Sequence, residues 1–248
     1  MDLSERPSRA FRRHPWELAR FRFFRALLRD VGADRRPLTI LDAGSGDGWF
    51  AARLLAEMPA GTRITCWDAS YTPDEAARLA AASGNVIHFS AARPTGRFGL
   101  LLLLDVLEHV EHDQEFLAGL VGENLDPGTM AVVSVPAWMA LYGEHDAKLN
   151  HRRRYAPAEA ATLLRSAGLE VVRRGGLFHS LVVPRYLATI LARRERVPAA
   201  HVLQWRFGAA TGRLLEASLA LEGRLSLLFS RAGIDVPGLS WWALCRRR

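Results

Sequence analysis

The amino-acid sequence predicts an α/β protein built on an open, mostly parallel sheet. Apolar runs of strand length alternate along the chain with helical segments of about ten to fifteen residues, the pattern of parallel strands joined by crossover helices. The composition agrees, because 49% of the 248 residues are hydrophobic and 24% are charged, which supplies one sizeable core. Ligands of such sheets bind beyond the carboxyl ends of the strands. We therefore expect functional residues directly after each apolar run.

The first predicted element is a helix over His14–Val31, where apolar residues recur at steps of three and four. Beyond it, strands and helices alternate, and the continuous apolar run Phe98–Leu104 is typical of a central parallel strand buried on both faces. The other predicted strands are Leu38–Ala43, Arg63–Trp67, Asn85–Phe89, Met130–Val135 and a strand that begins with Leu169–Arg173. The predicted connecting helices are Trp49–Ala60, Pro73–Ala82, Asp113–Asn124 and Pro157–Ala167.

The pattern divides the chain into four parts. Residues 1–37 form an N-terminal helical segment, residues 38–178 the α/β core, and residues 240–248 a last strand with a basic tail. Residues 179–239 interrupt the alternation with two helices, each with an apolar face flanked by arginines. Such an insertion is typical of a cap over the site, a dimer interface or an element at a membrane surface, so we expect a monomer or a homodimer. The apolar residues of the two faces are Val183, Tyr186, Leu187, Ile190 and Leu191, then Leu214, Leu221, Leu225 and Leu228.

The net charge of +7 is unevenly distributed along the chain. Residues 1–37 carry +5, residues 38–150 carry −9 and residues 151–248 carry +11. Among the 33 basic residues only Lys148 is a lysine, which indicates compositional drift toward arginine. This distribution disfavours nucleic acid as the partner.

Composition also excludes several classes of protein. The apolar fraction is too high for a disordered chain, and Cys66 and Cys245, the only cysteines, do not make a disulfide scaffold. No run reaches the roughly 18 apolar residues of a spanning helix, and the N-terminus lacks the apolar core of a signal peptide. We therefore expect a cytoplasmic protein, with peripheral membrane contact through the helical insertion as an open alternative.

The most informative segment is Leu38–Phe50, LTILDAGSGDGWF. An apolar strand runs into a G-x-G-x-G turn and then into a helix, with Asp42 two residues before the first glycine. Glycines at such a turn let the backbone bend sharply and let a ligand approach the main chain. A second acid, Asp68, ends the next strand and is placed to accept hydrogen bonds from a ribose diol. Together the two features predict a nucleoside-like ligand.

Three further segments carry a resemblance to a known family. They are Asp105–Val110 (DVLEHV), Val132–Pro136 (VVSVP), and His151–Tyr155 (HRRRY) followed by LLRSAGLEVV. With LDAGSGDG, they resemble class I S-adenosylmethionine-dependent methyltransferases, in the subgroup that includes the ubiquinone-pathway O-methyltransferases. The resemblance covers residues 38–178 and implies a Rossmann-like sheet with a C-terminal antiparallel strand. The helical insertion before that strand departs from the family pattern.

By position, the resemblance implies S-adenosylmethionine as cofactor and a set of residues around it. Asp42, Gly44 and Gly46 would serve the methionine part, Asp68 the ribose hydroxyls and Ala69 the adenine. The implied cofactor-binding residues in full are Asp42, Gly44, Ser45, Gly46, Asp68, Ala69, Ser90, Ala91, Asp105, Val106 and Leu107.

On the acceptor side, histidine is the usual base for a hydroxyl or amine near neutral pH. His145 and His109 are the candidate catalytic residues, and the neighbouring Glu144 and Asp146 are expected to orient His145. The candidate acceptor-binding residues are Trp138, Tyr142, His151 and Arg154. The histidines match no zinc spacing, so no metal is expected.

The function expected is methyl transfer to a small or medium-sized acceptor, a hydroxyl by preference, by in-line displacement. A lipid-linked or quinone-like acceptor would fit a membrane-facing insertion. Two alternatives remain open at this point. One is a protein of this fold that binds the cofactor without turnover, and the other is an NAD(P)-dependent oxidoreductase, although those use G-x-G-x-x-G.

Overall fold

The computed structural model describes residues 13–195 and 209–248. Residues 1–12 of the N-terminal segment and 196–208 of the helical insertion, including Arg196, lie outside the described residues. One seven-stranded sheet has the order β3-β2-β1-β4-β5-β7-β6, with only β7 antiparallel to its neighbours. The fold class predicted from the sequence is therefore confirmed. The strands are β1 Thr39–Ala43, β2 Arg63–Trp67, β3 Ile87–Ser90, β4 Phe98–Leu104, β5 Leu125–Pro136, β6 Leu169–Leu177 and β7 Ser240–Arg247.

The helices connect the strands in the order that the alternation predicts. Three single 3₁₀ turns, at Leu107–His109, Met139–Leu141 and His179–Leu181, follow β4, β5 and β6. The α-helices are α1 Pro15–Asp30, α2 Trp49–Leu55, α3 Pro73–Ala82, α4 Asp113–Asn124, α5 Glu144–Lys148, α6 Pro157–Ser166, α7 Val182–Glu195 and α8 Ala209–Arg231.

Several boundaries differ from those predicted. Helix α2 ends at Leu55 rather than Ala60, because the residue before Pro59 is disfavoured in helical geometry. Strand β5 begins five residues early, at Leu125, where its pairing with β4 shifts register. Strand β6 continues to Leu177, since β7 pairs along its whole length.

Two apolar layers sandwich the sheet, and the leucines of β4 alternate between them. Leu100 and Leu102 face the layer formed with α1, α2, α3 and α8, whereas Leu101 and Leu103 face α4 and α6. The adjacent Trp241 and Trp242 of β7 also divide between the two layers and are buried. Burial on both faces explains the unbroken apolar run of the central strand.

The helical insertion divides into two differently placed helices. Helix α8 packs on α1 and β6, whereas α7 contacts the 3₁₀ turn after β5 at the carboxyl end of the sheet. None of the helices in the described ranges is long and apolar enough to cross a bilayer.

Candidate functional site

The glycine turn after β1 has a shape that only glycine can take. Gly44 has φ +71°, and a Cβ there would lie 2.3 Å from Cγ2 of Val106. Gly48, at the start of α2, has φ +70°, and its Cβ would lie 2.5 Å from the ring of Phe89. Both positions combine positive φ with close packing. The main chain of the turn therefore lies directly against Val106 on one side and Phe89 on the other.

Tyr71, which belongs to no sequence motif, holds this turn by hydrogen bonds. The hydroxyl of Tyr71 donates to the carbonyl oxygen of Gly46 at 2.6 Å and lies 2.8 Å from Oγ of Ser45. Burial raises the pKa of Tyr71, so the hydroxyl keeps its proton. The hydroxyl of Ser45 and the main chain at Gly46 are thus held by Tyr71, three positions after Asp68, and no spacing signal in the sequence marks this tyrosine.

Asp68 lies at the carboxyl end of β2, as the sequence predicts. Its Oδ2 accepts a hydrogen bond from the backbone N–H of Gly46 at 2.9 Å. Its Oδ1 accepts from the N–H of Ser70 at 3.0 Å and from the hydroxyl of Ser70 at 2.5 Å. The side chain is half-buried, and a carboxylate has about four acceptor positions. Asp68 therefore holds the glycine turn and retains about one acceptor position for a ligand.

Asp42 is buried below the same turn. Its Oδ2 has no hydrogen-bond partner among the described residues, and burial raises the pKa of the carboxyl to about 7. An orphaned buried oxygen costs free energy unless a ligand or water satisfies it. The unpartnered oxygen of Asp42 therefore favours a cationic ligand group close to it.

The residues expected beside the adenine follow β2 and β3. Ala69 and Ala91 are exposed, and the carbonyl of Ala91 accepts a hydrogen bond from Nε1 of Trp67 at 3.2 Å. The carbonyl of Ser90 accepts from the N–H of Asp68 at 3.2 Å. These hydrogen bonds hold the two strand ends next to each other.

The segment after β4 borders the turn from the other side. Asp105 has φ +56°, an uncommon conformation for a residue other than glycine, and its Oδ1 accepts a hydrogen bond from Oγ of Ser134 at 2.7 Å. Its Oδ2 pairs with Arg20 of α1, so the N-terminal helix covers this edge. Val106 touches the position of Gly44, and Leu107 is buried in the core.

These residues fit S-adenosylmethionine. The buried oxygen of Asp42 lacks a partner among the described residues, and Asp68 keeps an acceptor position at the strand end. The two features correspond to an ammonium group and a ribose hydroxyl.

The carboxylate of Asp146 in α5 binds two arginines and one histidine. It accepts hydrogen bonds from Nδ1 of His151 at 3.0 Å, from Nε of Arg154 at 2.9 Å and from Arg185 of α7 at 2.8 Å. The N–H of Gly143 donates as well, at 2.9 Å. Burial by itself would raise the pKa of Asp146, but the bonds from His151 and Arg154 outweigh it and hold the pKa well below its usual range.

The expected orientation of His145 is wrong in one respect. Asp146 binds His151 rather than His145, because α5 turns the two neighbouring side chains in different directions. The ring of His145 lies 6.1 Å from that of Trp16 between centroids. Burial, followed by the charge of Arg185, lowers its pKa.

The remaining acceptor-side residues act mainly as supports. Trp138 donates from Nε1 to the carbonyl of Gly238 at 2.9 Å, and Tyr142 donates to the carbonyl of His151 at 2.7 Å. Arg154 is buried and also donates to the carbonyl of Ala137 at 3.1 Å. Their polar groups fix the loop in which His151 lies.

The DVLEHV turn brings Glu108 and His109 to His151. Ligand-type atoms of the three residues lie within 4.8 Å of one another, and the two imidazole rings meet edge to face at 4.8 Å. Such a spacing could hold a cation, but burial raises the pKa of Glu108 well above its usual value. Both carboxyl oxygens of Glu108 are buried and have no hydrogen-bond partner among the described residues. The three side chains therefore form a buried polar cluster behind the segment that follows β4.

Comparisons with known proteins identify the family of this chain. The methyltransferase domain family model matches residues 16–174. A ubiquinone biosynthesis O-methyltransferase of Rickettsia felis is 32% identical over 107 residues, which are 41% of this chain and 42% of that protein. The chain therefore matches less than half the length of this curated relative.

Two solved structures share the fold. An S-adenosylmethionine-dependent methyltransferase from Mesorhizobium loti superposes with a TM-score of 0.56 at 18% identity, covering 90% of this chain and 96% of that one. Magnesium protoporphyrin IX methyltransferase from Synechocystis, with bound S-adenosylhomocysteine, gives a TM-score of 0.50 at 19% identity, covering 64% and 76%. The family match over more than half of the residues shows that this chain belongs to the class I S-adenosylmethionine-dependent methyltransferases.

Proposed function

We propose that this protein transfers a methyl group from S-adenosylmethionine to a hydroxyl of a small or medium-sized acceptor, with His151 as the base. The observation that carries the proposal is the 3.0 Å hydrogen bond between Nδ1 of His151 and the carboxylate of Asp146. A carboxylate accepts only, so the imidazole proton resides on Nδ1 and Nε2 carries the lone pair. This is the tautomer that a base needs.

Position also supports His151 over the other histidines. His109 and Glu108 belong to the same short segment as Val106, which touches the glycine turn at Gly44. His151 meets this segment at His109. The contact between His109 and His151 thus connects Asp146 and its partners to the proposed methionine end of the cofactor site. His145 instead contacts Trp16 of the N-terminal helix.

The bound sulfonium supplies an activated methyl group. The protein therefore has to align an acceptor oxygen with the methyl carbon, exclude water and accept one proton. In this proposal, Asp42 and Asp68 hold the cofactor, and α7, held by Arg185, closes the acceptor side. His151 takes the hydroxyl proton on Nε2 during in-line displacement.

The name of the curated relative favours a hydroxyl on a quinone precursor as acceptor. A binding protein without turnover remains the second candidate, since the features at Asp42, Gly44 and Asp68 support binding alone. An NAD(P)-dependent oxidoreductase is disfavoured by the G-x-G-x-G spacing and by the family match.

The test compares His151→Ala with His145→Ala in a labelled-methyl assay on hydroxylated ring acceptors. We expect the His151 variant to lose about 10²-fold in turnover, while calorimetry shows unchanged affinity for S-adenosylhomocysteine. The His145 variant serves as the matched control, because it removes the same type of ring from the adjacent helix α5. Wild-type turnover in His151→Ala would overturn the role of the base, and absence of any labelled product would favour the binding protein.

A further inference from the structure

Helix α8 has two faces of different character. Its inner face is buried against α1 and β6, and it includes Leu219, Gly223 and Leu227. A Cβ at Gly223 would lie 3.3 Å from the ring of Phe23, so the helix lies close to α1. The orientation of α8 about its own axis is thereby fixed by the core.

The opposite face exposes a continuous row of leucines. Leu214 is 72% exposed, and Leu221 and Leu228 are each 57% exposed, with Leu225 between them. Steps of seven, four and three residues place all four on one stripe. At 1.5 Å per residue the stripe is about 21 Å long. An apolar surface of this extent on a single helix indicates a contact with something outside the described residues.

The net charge beside this stripe is positive. Arg213 and Arg224 are exposed and make no salt bridge within the described ranges. The charge of Glu216 is balanced by Arg22 at 2.7 Å, and the half-buried Glu222 accepts a hydrogen bond from the N–H of Ser180 at 3.2 Å. The two arginines therefore outnumber the one uncompensated acid beside the leucines.

Helix α7 adds a second exposed apolar face. Val183, Leu187 and Leu191 are more than half exposed, whereas Arg185 turns inward to Asp146. The contact of Ser180 with Glu222 ties the start of α7 to α8. Both helices of the insertion thus expose an apolar face to solvent, while their opposite faces contact the rest of the protein.

We propose that the leucine face of α8, with Arg213 and Arg224, docks on an anionic phospholipid surface. Leucines enter the boundary of the acyl chains, and arginines extend along them to the phosphates. A second copy of this chain is a poorer match, because two such faces would oppose surfaces of the same net positive charge. The proposal goes beyond the methyl-transfer function and does not depend on which acceptor is used.

The test is sedimentation of the full chain with phosphatidylcholine vesicles that contain or lack phosphatidylglycerol, at low and high salt. We expect binding that requires the anionic lipid and weakens with salt. The double variant Leu221→Ser with Leu225→Ser should reduce the partition coefficient for vesicle binding about tenfold or more, since two leucines that would enter the lipid are removed. Arg213→Gln with Arg224→Gln should abolish the preference for anionic lipid. Val86→Ser, at an exposed apolar residue in the α3–β3 turn, is the control and should bind normally.

Three results would overturn the proposal. They are a wild-type protein that stays in the supernatant, a double-leucine variant that binds as the wild type does, and a double-leucine variant that converts a dimer to a monomer in light scattering. The last result would assign the face to a second copy. Affinity for S-adenosylhomocysteine and turnover of a soluble acceptor should remain unchanged in the variants, so failure here is distinguishable from failure of the methyltransferase proposal.

Discussion

The carboxylate of Asp146 holds Nδ1 of His151 at 3.0 Å and, through its other oxygen, holds Arg185 of the helical insertion at 2.8 Å. One buried side chain therefore connects the proposed base with α7. Through this contact, the helical insertion between β6 and β7 helps to position the residues of the proposed acceptor side. Displacement of α7 would move the group that orients His151.

Asp146→Asn should destabilise the protein by about 3–5 kcal/mol, because Arg154 and Arg185 would remain buried without their counter-charge. Urea unfolding at pH 7 measures the loss. The control is Asp235→Asn, since Asp235 forms an exposed pair with Arg174 at 3.1 Å and should cost less than about 1 kcal/mol. Equal stability of the two variants would contradict the role assigned to Asp146.

The same substitution should show a defined dependence on pH. The folded protein holds the pKa of Asp146 well below its usual range, because the bonds from His151 and Arg154 outweigh the effect of burial. The carboxylate's stabilisation is thus complete above the unfolded-state pKa of about 4 and is lost as the pH falls toward the folded-state pKa. The stability gap between wild type and variant should narrow below about pH 4. A gap that stays constant down to pH 2.5 would argue against an ionised Asp146.

Asp68→Ala should weaken binding of S-adenosylhomocysteine without unfolding the protein. Loss of charge-assisted hydrogen bonds to a ribose diol costs about 1.5–3 kcal/mol, or roughly tenfold to a hundredfold in affinity. Part of that loss would arise from the contact of Asp68 with the N–H of Gly46, which holds the turn in place. Calorimetry on the variant and on Asp74→Ala, an exposed acid of α3, separates the effect from a change in net charge. Unchanged affinity would remove Asp68 from the site.

Sequence patterns predicted the sheet and the glycine turn because each depends on neighbouring residues. A buried strand needs a run of apolar residues, and the turn needs glycine at Gly44 and Gly48, where φ is positive. The Asp146 cluster is different, since Arg185 lies 39 residues away on a separate helix. Charged residues are common in this chain, so no local spacing distinguishes that pair. Tyr71 was missed for the same reason, because its importance comes from the carbonyl that it reaches in another strand–helix connection.

Binding of S-adenosylhomocysteine should weaken as the pH falls through about 7. Burial raises the pKa of Asp42 to about 7, and only its ionised form attracts the ammonium of the methionine part. At pH 6 most of the cofactor-free protein would carry a neutral Asp42, so the affinity should be roughly tenfold lower than at pH 8. Asp42→Asn should bind weakly with a flat profile over this range. A wild-type profile that is equally flat would contradict the assignment.

The same carboxyl should also affect stability in the cofactor-free protein. Its folded-state pKa lies above the unfolded value of about 4, so its contribution is most favourable below pH 4 and is lost as the pH rises through about 7. Asp42→Asn should therefore raise the melting temperature at pH 8 and leave it nearly unchanged at pH 4. A variant that is destabilised equally at both pH values would indicate that Asp42 is needed for packing and not for charge.

Gly44→Ala should impair both folding stability and cofactor binding, for two separable reasons. The added Cβ would lie 2.3 Å from Cγ2 of Val106, and the backbone would still need φ +71°. Combining it with Val106→Ala removes the atom that clashes, while the cost of positive φ for alanine, about 1 kcal/mol, remains. The double variant should regain most of the lost thermal stability but not the affinity for S-adenosylhomocysteine, since the Cβ still occupies the face of the turn that the cofactor approaches. Recovery of both properties would mean that Gly44 is required only for packing against Val106, and that the cofactor does not approach the main chain at this residue.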